Sequence, residues 1–128
     1  KGTEDSAGFD LMAAIEEKIT LKPSSTELIP AGFCLEMPKD FEAQVRPRSG
    51  LALKNSVTVL NSPGTIDADY RGEVGVILIN HSKKNFDIHR GMRIAQIIFS
   101  RVPETILIEK SSLSKTKRDQ GGFGSTGV

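Results

Sequence analysis

Two nearly continuous apolar runs constrain this chain most: Val74-Gly75-Val76-Ile77-Leu78-Ile79 and Ile94-Ala95-Gln96-Ile97-Ile98-Phe99. Both are short and rich in β-branched residues, which suits strands covered on both faces. Around them Phe33, Leu35 and Met37 alternate with Cys34 and Glu36, and Phe41, Ala43 and Val45 alternate with Glu42, Gln44 and Arg46. A period of two is that of a half-buried strand. Shorter strand candidates are Leu28-Ile29, Val57–Leu60, Phe86–Ile88 and Ile106–Glu109. Pro30-Ala31-Gly32, Pro38-Lys39-Asp40, Asn61-Ser62-Pro63-Gly64, Arg71-Gly72 and His89-Arg90-Gly91 punctuate them at short intervals. Many short strands between frequent turns predict an all-β fold, an antiparallel sandwich or a closed barrel. One short helix is expected over Ser49–Lys54, with Ser49 as its N-cap.

A length of 128 residues fits roughly one domain. Seventeen basic residues against sixteen acidic ones leave a formal charge of +1, too little to hold an anionic polymer by charge. With only six phenylalanines and one tyrosine there is no stacking platform either, so a nucleic-acid partner is not expected. No apolar run approaches the ~20 residues of a membrane helix, and no membrane partner is expected. The single cysteine, Cys34, excludes an internal disulfide and suits a reducing compartment, so a soluble intracellular chain is expected. The chain opens on Lys1 rather than methionine, and a short leading segment is expected ahead of it. The β domain is expected to span residues 1–109. Residues 110–128 read as a basic linker, Lys110 to Arg118, and a tail with four glycines in its last ten residues. Glycine loses the most backbone entropy on ordering, so this arm is expected to be mobile until it binds something.

The tail contains G-x-G-x-x-G from Gly122 to Gly127, but a dinucleotide fingerprint needs a helix after it and only Val128 follows. What survives is local chemistry. Glycine backbone lets N–H groups approach an anion, Ser125 and Thr126 add hydroxyls, Phe123 offers a flat face and Arg118 a guanidinium. The alternative is a tail without a role. Arg46-Pro47-Arg48-Ser49-Gly50-Leu51 combines two guanidiniums, a hydroxyl and a helix start, which makes either an anion site or a capped helix with surface arginines. Asn61 to Gly72 reads as a long polar insertion between two apolar strands, able to present backbone donors and acceptors to a ligand. Asp67 and Asp69 are two apart and share a face if extended; one fits a general base, and both fit ordinary turn acids. Asp10, flanked by Phe9 and Leu11, reads more simply as a structural acid. His81 and His89 are eight apart with no cysteine pair, which gives no zinc pattern, and Cys34 reads as a packed thiol.

Taken in order, five segments resemble the motifs of the trimeric dUTP pyrophosphatase (dUTPase) family. They are Ala7-Gly8-Phe9-Asp10-Leu11, Arg46 to Ala52, Gly64 to Gly72, Gly91-Met92-Arg93-Ile94-Ala95-Gln96, and Arg118 with Gly121 to Gly127. The resemblance spans essentially the whole chain. It implies a distorted β-barrel of jelly-roll type (a dUTPase-like β-clip) with a flexible C-terminal arm. It also implies a cytoplasmic homotrimer whose three active sites are each built from three subunits. The activity implied is Mg²⁺-dependent hydrolysis of dUTP to dUMP and pyrophosphate, which keeps uracil out of DNA and supplies dUMP for dTMP synthesis. By the same resemblance Asp67 is the general base for water attack on the α-phosphorus. Asn61 and the backbone of Gly64, Thr65 and Ile66 read uracil, Tyr70 lies under deoxyribose, and Gly75 offers only its backbone near the ligand. Arg48, Ser49, Gly50 and Gln96 hold the α- and β-phosphates. Arg118, Ser125 and Thr126 hold the γ-phosphate, while Phe123, followed by Gly124, stacks on uracil. Asp10 positions Mg²⁺ through waters, the metal being held mainly by substrate phosphates. Met92 stands where many members have Asp, and Asp119 replaces a frequent Gly. A non-catalytic nucleotide-binding or regulatory trimer of the same fold is the alternative. A related dCTP deaminase would need a glutamate base at the nucleobase and a different second motif, neither of which the chain carries.

Overall fold

The structure is a computed structural model and describes residues 1–125 and 127. Nine strands and one helix follow one another: β1 (Phe9–Met12), β2 (Ile19–Leu21), β3 (Thr26–Cys34), β4 (Phe41–Arg46), α1 (Ser49–Asn55), β5 (Val57–Val59), β6 (Gly64–Ile66), β7 (Glu73–Asn80), β8 (Phe86–Ile88) and β9 (Arg93–Arg101). They form three antiparallel sheets: β1-β9-β4-β6, β3-β7-β5 and the pair β2-β8. The all-β, jelly-roll-like expectation is borne out, although the ladders do not close into a barrel among the described residues. No described helix is long and apolar enough to cross a membrane.

Alternation writes the core. On β7 Val74, Val76, Leu78 and Asn80 are buried while the residues between them are partly covered, so this strand is not sealed on both faces. Ala43 and Val45 of β4 and Ile94, Ala95 and Ile97 of β9 join Leu11, Leu21, Ile29, Val57, Val59 and Ile88 in one cluster. Each buried Val, Leu or Ile contributes roughly 1.5–3 kcal/mol of transfer free energy. Asn80 is the one buried polar side chain described, and it is fully bonded. Its Nδ2 donates to the carbonyls of Leu21 at 2.9 Å and Lys84 at 2.8 Å, and its Oδ1 accepts from Ser82 N–H at 2.9 Å. That amide ties the end of β7 to β2 and to the turn before β8.

Several sequence expectations are corrected. The strand expected through Met37 ends at Cys34. β3 carries a bulge between Pro30, opposite Gly75, and Cys34, opposite Glu73, with Gly32 at φ 81°. The bulge breaks the alternation, so Phe33 and Cys34 are both exposed, the latter not packed as expected, while Leu35 and Met37 still pack on the core. Ile106–Glu109 is not a strand: residues 102–125 are irregular, and Ile106, Leu107 and Ile108 are exposed. A lone apolar segment without a ladder partner cannot satisfy its backbone as a strand. Within the expected loop, Gly64–Ile66 is β6, paired with Ala43–Val45. Ser49 is the first helical residue of α1 rather than its cap; Arg48 holds that place with extended backbone and no side-chain capping bond.

Candidate active site

The expected site residues of the β domain gather in two clefts that share no wall residue. The first, of about 390 Å³, lies between the segment before β1, the start of α1 and β9. Asp10 faces Gln96 in the β1–β9 register, which brings an acid and an amide to the cleft side by side. Gln96 Nε2 donates to the Pro47 carbonyl at 3.0 Å and so fastens the turn that presents Arg48, Ser49 and Gly50. Gly8 is required here for space: a Cβ on it would stand 2.8 Å from Gln96 Oε1 and 3.3 Å from the Ile97 carbonyl.

Arg48 Nε donates to Asp10 Oδ1 at 3.1 Å, and its Nη1 reaches the Arg93 carbonyl at 3.4 Å. Arg93 Nη1 stands 3.9 Å from Asp10 Oδ2. Two guanidiniums therefore outnumber one carboxylate in a cleft whose other lining groups are neutral, which suits a polyanion. Nothing in the sequence marks Arg93 as a ligand. It reaches Asp10 because it opens β9 opposite Met12, and a single sequence does not display that register. Among the described residues no three His, Cys, Asp or Glu side chains cluster as a metal site. One carboxylate in an arginine-lined cleft fits a magnesium ion carried in on phosphates and met by the protein through water, not a protein cage.

The second cleft, of about 270 Å³, is lined by Asn61, Thr65, Ile66, Asp67, Tyr70 and Gly75 among others. Gly64 is buried just behind it, and a Cβ there would press on Asn61 Nδ2 at 3.2 Å. The Ser62–Pro63 bond in this turn is cis. Asp67 is exposed and makes no ion pair or side-chain hydrogen bond among the described residues, so its carboxylate lies open at the wall of this cleft. Asp69 does not share its face: the Tyr70 N–H bonds the Asp67 carbonyl at 3.1 Å, making 67–70 a turn and leaving Asp69 out of the cleft wall. Arg71 Nη1 closes that turn on the carbonyls of Ala68 at 2.7 Å and Tyr70 at 3.2 Å. Leu28, Glu73, Val74 and Ile77 complete the wall without any signal in the sequence, because they arrive through the β3–β7 register. Gly75 has its missing side chain's space taken by Leu28, whose Cδ1 lies 2.7 Å from where a Cβ would stand.

The described residues of the arm meet neither cleft. Arg118 Nε donates to the Gly121 carbonyl at 2.7 Å, Ser125 N–H to the Gly122 carbonyl at 3.0 Å, and Phe123 is fully exposed beside Gly124. Thr126 lies outside the described residues.

A family model described as dUTPase matches residues 1–127. The deoxyuridine 5′-triphosphate nucleotidohydrolases of Rickettsia felis and Rickettsia prowazekii are 59% and 57% identical over 126 residues, spanning 98% of this chain and 85% of theirs. Among solved structures, Staphylococcus bacteriophage 80alpha dUTPase with dUpNHpp superposes with a TM-score of 0.86 at 23% identity, covering 100% of this chain and 90% of that one. A point mutant of the dUTPase from S. aureus phage phi11, whose structure details coordination of a structural Mg(II) ion, superposes at 0.80 with 18% identity over 90% of each chain. Those two likenesses speak for the fold. The family model and the Rickettsia enzymes carry the classification: the chain belongs to the dUTPase family.

Proposed function

We propose that the chain is a dUTP diphosphatase whose complete site joins the first cleft of one copy to the second cleft of a neighbour, with the arm of a third copy closing over both. The observation that carries this reading is the sorting of the side chains. Within the β domain the phosphate-binding types fall in the first cleft and the nucleoside-reading types in the second, with no wall in common. A triphosphate and a base on one nucleotide need both sets at once, which a homotrimer supplies. On this reading residues 1–109 are the trimer-forming domain and 110–128 the borrowed arm.

In the reaction, Asp67 takes a proton from water as the water oxygen bonds the α-phosphorus; the bond from that phosphorus to the α–β bridging oxygen breaks, and pyrophosphate leaves with dUMP as the other product. Arg48, Ser49, Gly50 and Gln96 grip the α- and β-phosphates, and Arg118, Ser125 and Thr126 the γ-phosphate. Asn61 and the backbone of Gly64 to Ile66, with the backbone of Gly75 alongside, read uracil. Phe123 stacks on the base, its neighbour Gly124 letting the arm fold down. Tyr70 lies against the sugar. Mg²⁺, when bound, neutralises charge on the phosphates, and Asp10 meets it through water. Positioning and neutralisation supply most of the rate in such chemistry. A free exposed thiol, Cys34, accords with a cytoplasmic enzyme.

The test is pyrophosphate release from dUTP, dTTP, dCTP and UTP with Mg²⁺. Selective turnover of dUTP is expected; equal turnover of dTTP or UTP would overturn the reading.

A further inference from the structure

Tyr70 is an aromatic with 47% of its surface exposed, a situation in which a ring ordinarily samples several rotamers. Here it is seated. Its hydroxyl donates to the carbonyl of Glu73 at 3.1 Å, which bends the side chain back over the intervening backbone. The ring then lies across Gly72 so closely that a Cβ there would meet the hydroxyl oxygen and stand 2.5 Å from Cζ and 2.9 Å from Cε2. Gly72 does not occupy the left-handed φ region, so glycine is needed here for space and not for backbone conformation. An alanine at 72 would have to push the ring off this seat and away from the Glu73 carbonyl.

The acceptor is fixed as well. Glu73 opens β7 opposite the bulge of β3, and its Oε1 accepts the Gly32 N–H at 2.9 Å. The glutamate therefore clamps the backbone whose carbonyl holds the tyrosine. Both Tyr70 and Glu73 line the second cleft.

We infer that Gly72 and Glu73 are positioning residues that fix the Tyr70 ring in the second cleft, and that through this seat they set discrimination between 2′-deoxyribose and ribose. The inference rests on the reading of Tyr70 as the sugar-facing residue. A ring displaced by even a methyl group leaves room beside the sugar for a 2′-hydroxyl.

The experiment measures kcat/KM for dUTP and for UTP in Tyr70→Ala, Gly72→Ala and the double variant, and in Glu73→Ala and Glu73→Gln. A folding defect lowers both substrates alike, so the dUTP-to-UTP ratio is the readout. Gly72→Ala is expected to lower that ratio about tenfold, the scale on which one methyl group in a pocket discriminates. In the Tyr70→Ala background it should change the ratio by less than about twofold, because the effect passes through the ring. Glu73→Ala should lower the ratio in the same direction, and Glu73→Gln, whose amide oxygen can still accept the Gly32 N–H, should restore it. Should Tyr70→Ala lower the ratio while Gly72→Ala and Glu73→Ala leave it unchanged, the seat is refuted and the reading of Tyr70 stands. An unchanged ratio in Tyr70→Ala would overturn both. If Gly72→Ala does not fold, the Glu73 pair decides alone.

Discussion

Arg48 and Asp10 are paired across the first cleft, Nε to Oδ1 at 3.1 Å, with only 27% of each side chain exposed. The carboxylate holds the guanidinium in one orientation, so that on the proposed reading part of the ordering cost of phosphate binding is met by the fold itself. The same carboxylate is the first cleft's single acid.

The ion pair with Arg48 and the proposed contact with Mg²⁺ both fall on Asp10, and they separate experimentally. Asp10→Ala should raise the Mg²⁺ concentration needed for half-maximal turnover about 10–100-fold, the usual cost of removing a group that supports a metal through its waters. A Mg²⁺ titration of pyrophosphate release reads it. A lowered rate with an unmoved Mg²⁺ midpoint would reduce Asp10 to the partner of Arg48.

Among the described residues the Asp67 carboxylate has no structural partner to hold. Asp67→Asn should therefore leave nucleotide binding nearly intact while turnover falls about 10²–10⁴-fold, the range for loss of a general base. Calorimetry with a non-hydrolysable dUTP analogue, beside steady-state kinetics, checks the two halves. A near-normal rate would mean that another group takes the proton.

Removal of Asp119 to Val128 should depress turnover and leave the assembly whole, since the described residues of this segment bond only to one another and to their immediate neighbours. Sedimentation of the truncated chain distinguishes the outcomes. Dissociation on truncation would make the arm an assembly element instead of a cover.

On the β2–β8 pair Asp87 of β8 accepts from the Thr20 hydroxyl at 2.7 Å and from Lys18 Nζ at 2.9 Å. The Thr20 bond first, and then Lys18, hold its carboxyl below the ordinary value of 3.8. Because the folded pKa is the lower one, the stabilisation is fully present above the unfolded value and is lost as pH falls through the folded pKa. Asp87→Asn should accordingly lower Tm near neutral pH, with the gap to the parent closing in strong acid. A gap that persists or widens there would contradict the pairing.

The parts of this fold that can be read in the chain are those whose pattern lies in consecutive side chains. β4, β7 and β9 alternate or run apolar over six or more residues, and all three lie near their expected bounds. β6 escapes such a reading, because Asn61-Ser62-Pro63-Gly64 carries every mark of a turn; its strand character comes from Ala43–Val45 offering a free ladder edge. Ile106–Glu109 shows the converse, an apolar stretch with a strand's composition and no ladder partner among the described residues.

The site divides the same way. Asp67, Tyr70 and Arg48 can be named because motif order marks them, and Asn61 because it stands in the turn that leads into the third motif. Leu28 reaches the second cleft only through its cross-strand pairing with Ile77, and Glu73 through a register shifted by the Gly32 bulge, and a bulge leaves little trace in a sequence. Asp69 departs from expectation for a related reason: two-residue spacing implies a common face only in extended chain, and this chain turns between 67 and 70.

The buried amide of Asn80 is sheltered from the chemistry of ageing. Deamidation would need the His81 nitrogen to attack the Asn80 side-chain carbonyl, but that N–H is committed to the Ser56 carbonyl at 2.9 Å and the amide itself is shut off from solvent. The shelter matters, because an aspartate at position 80 would set a negative charge against the carbonyl oxygens of Leu21 and Lys84, where two N–H donors stand, and would prise β2 and the turn into β8 from the end of β7.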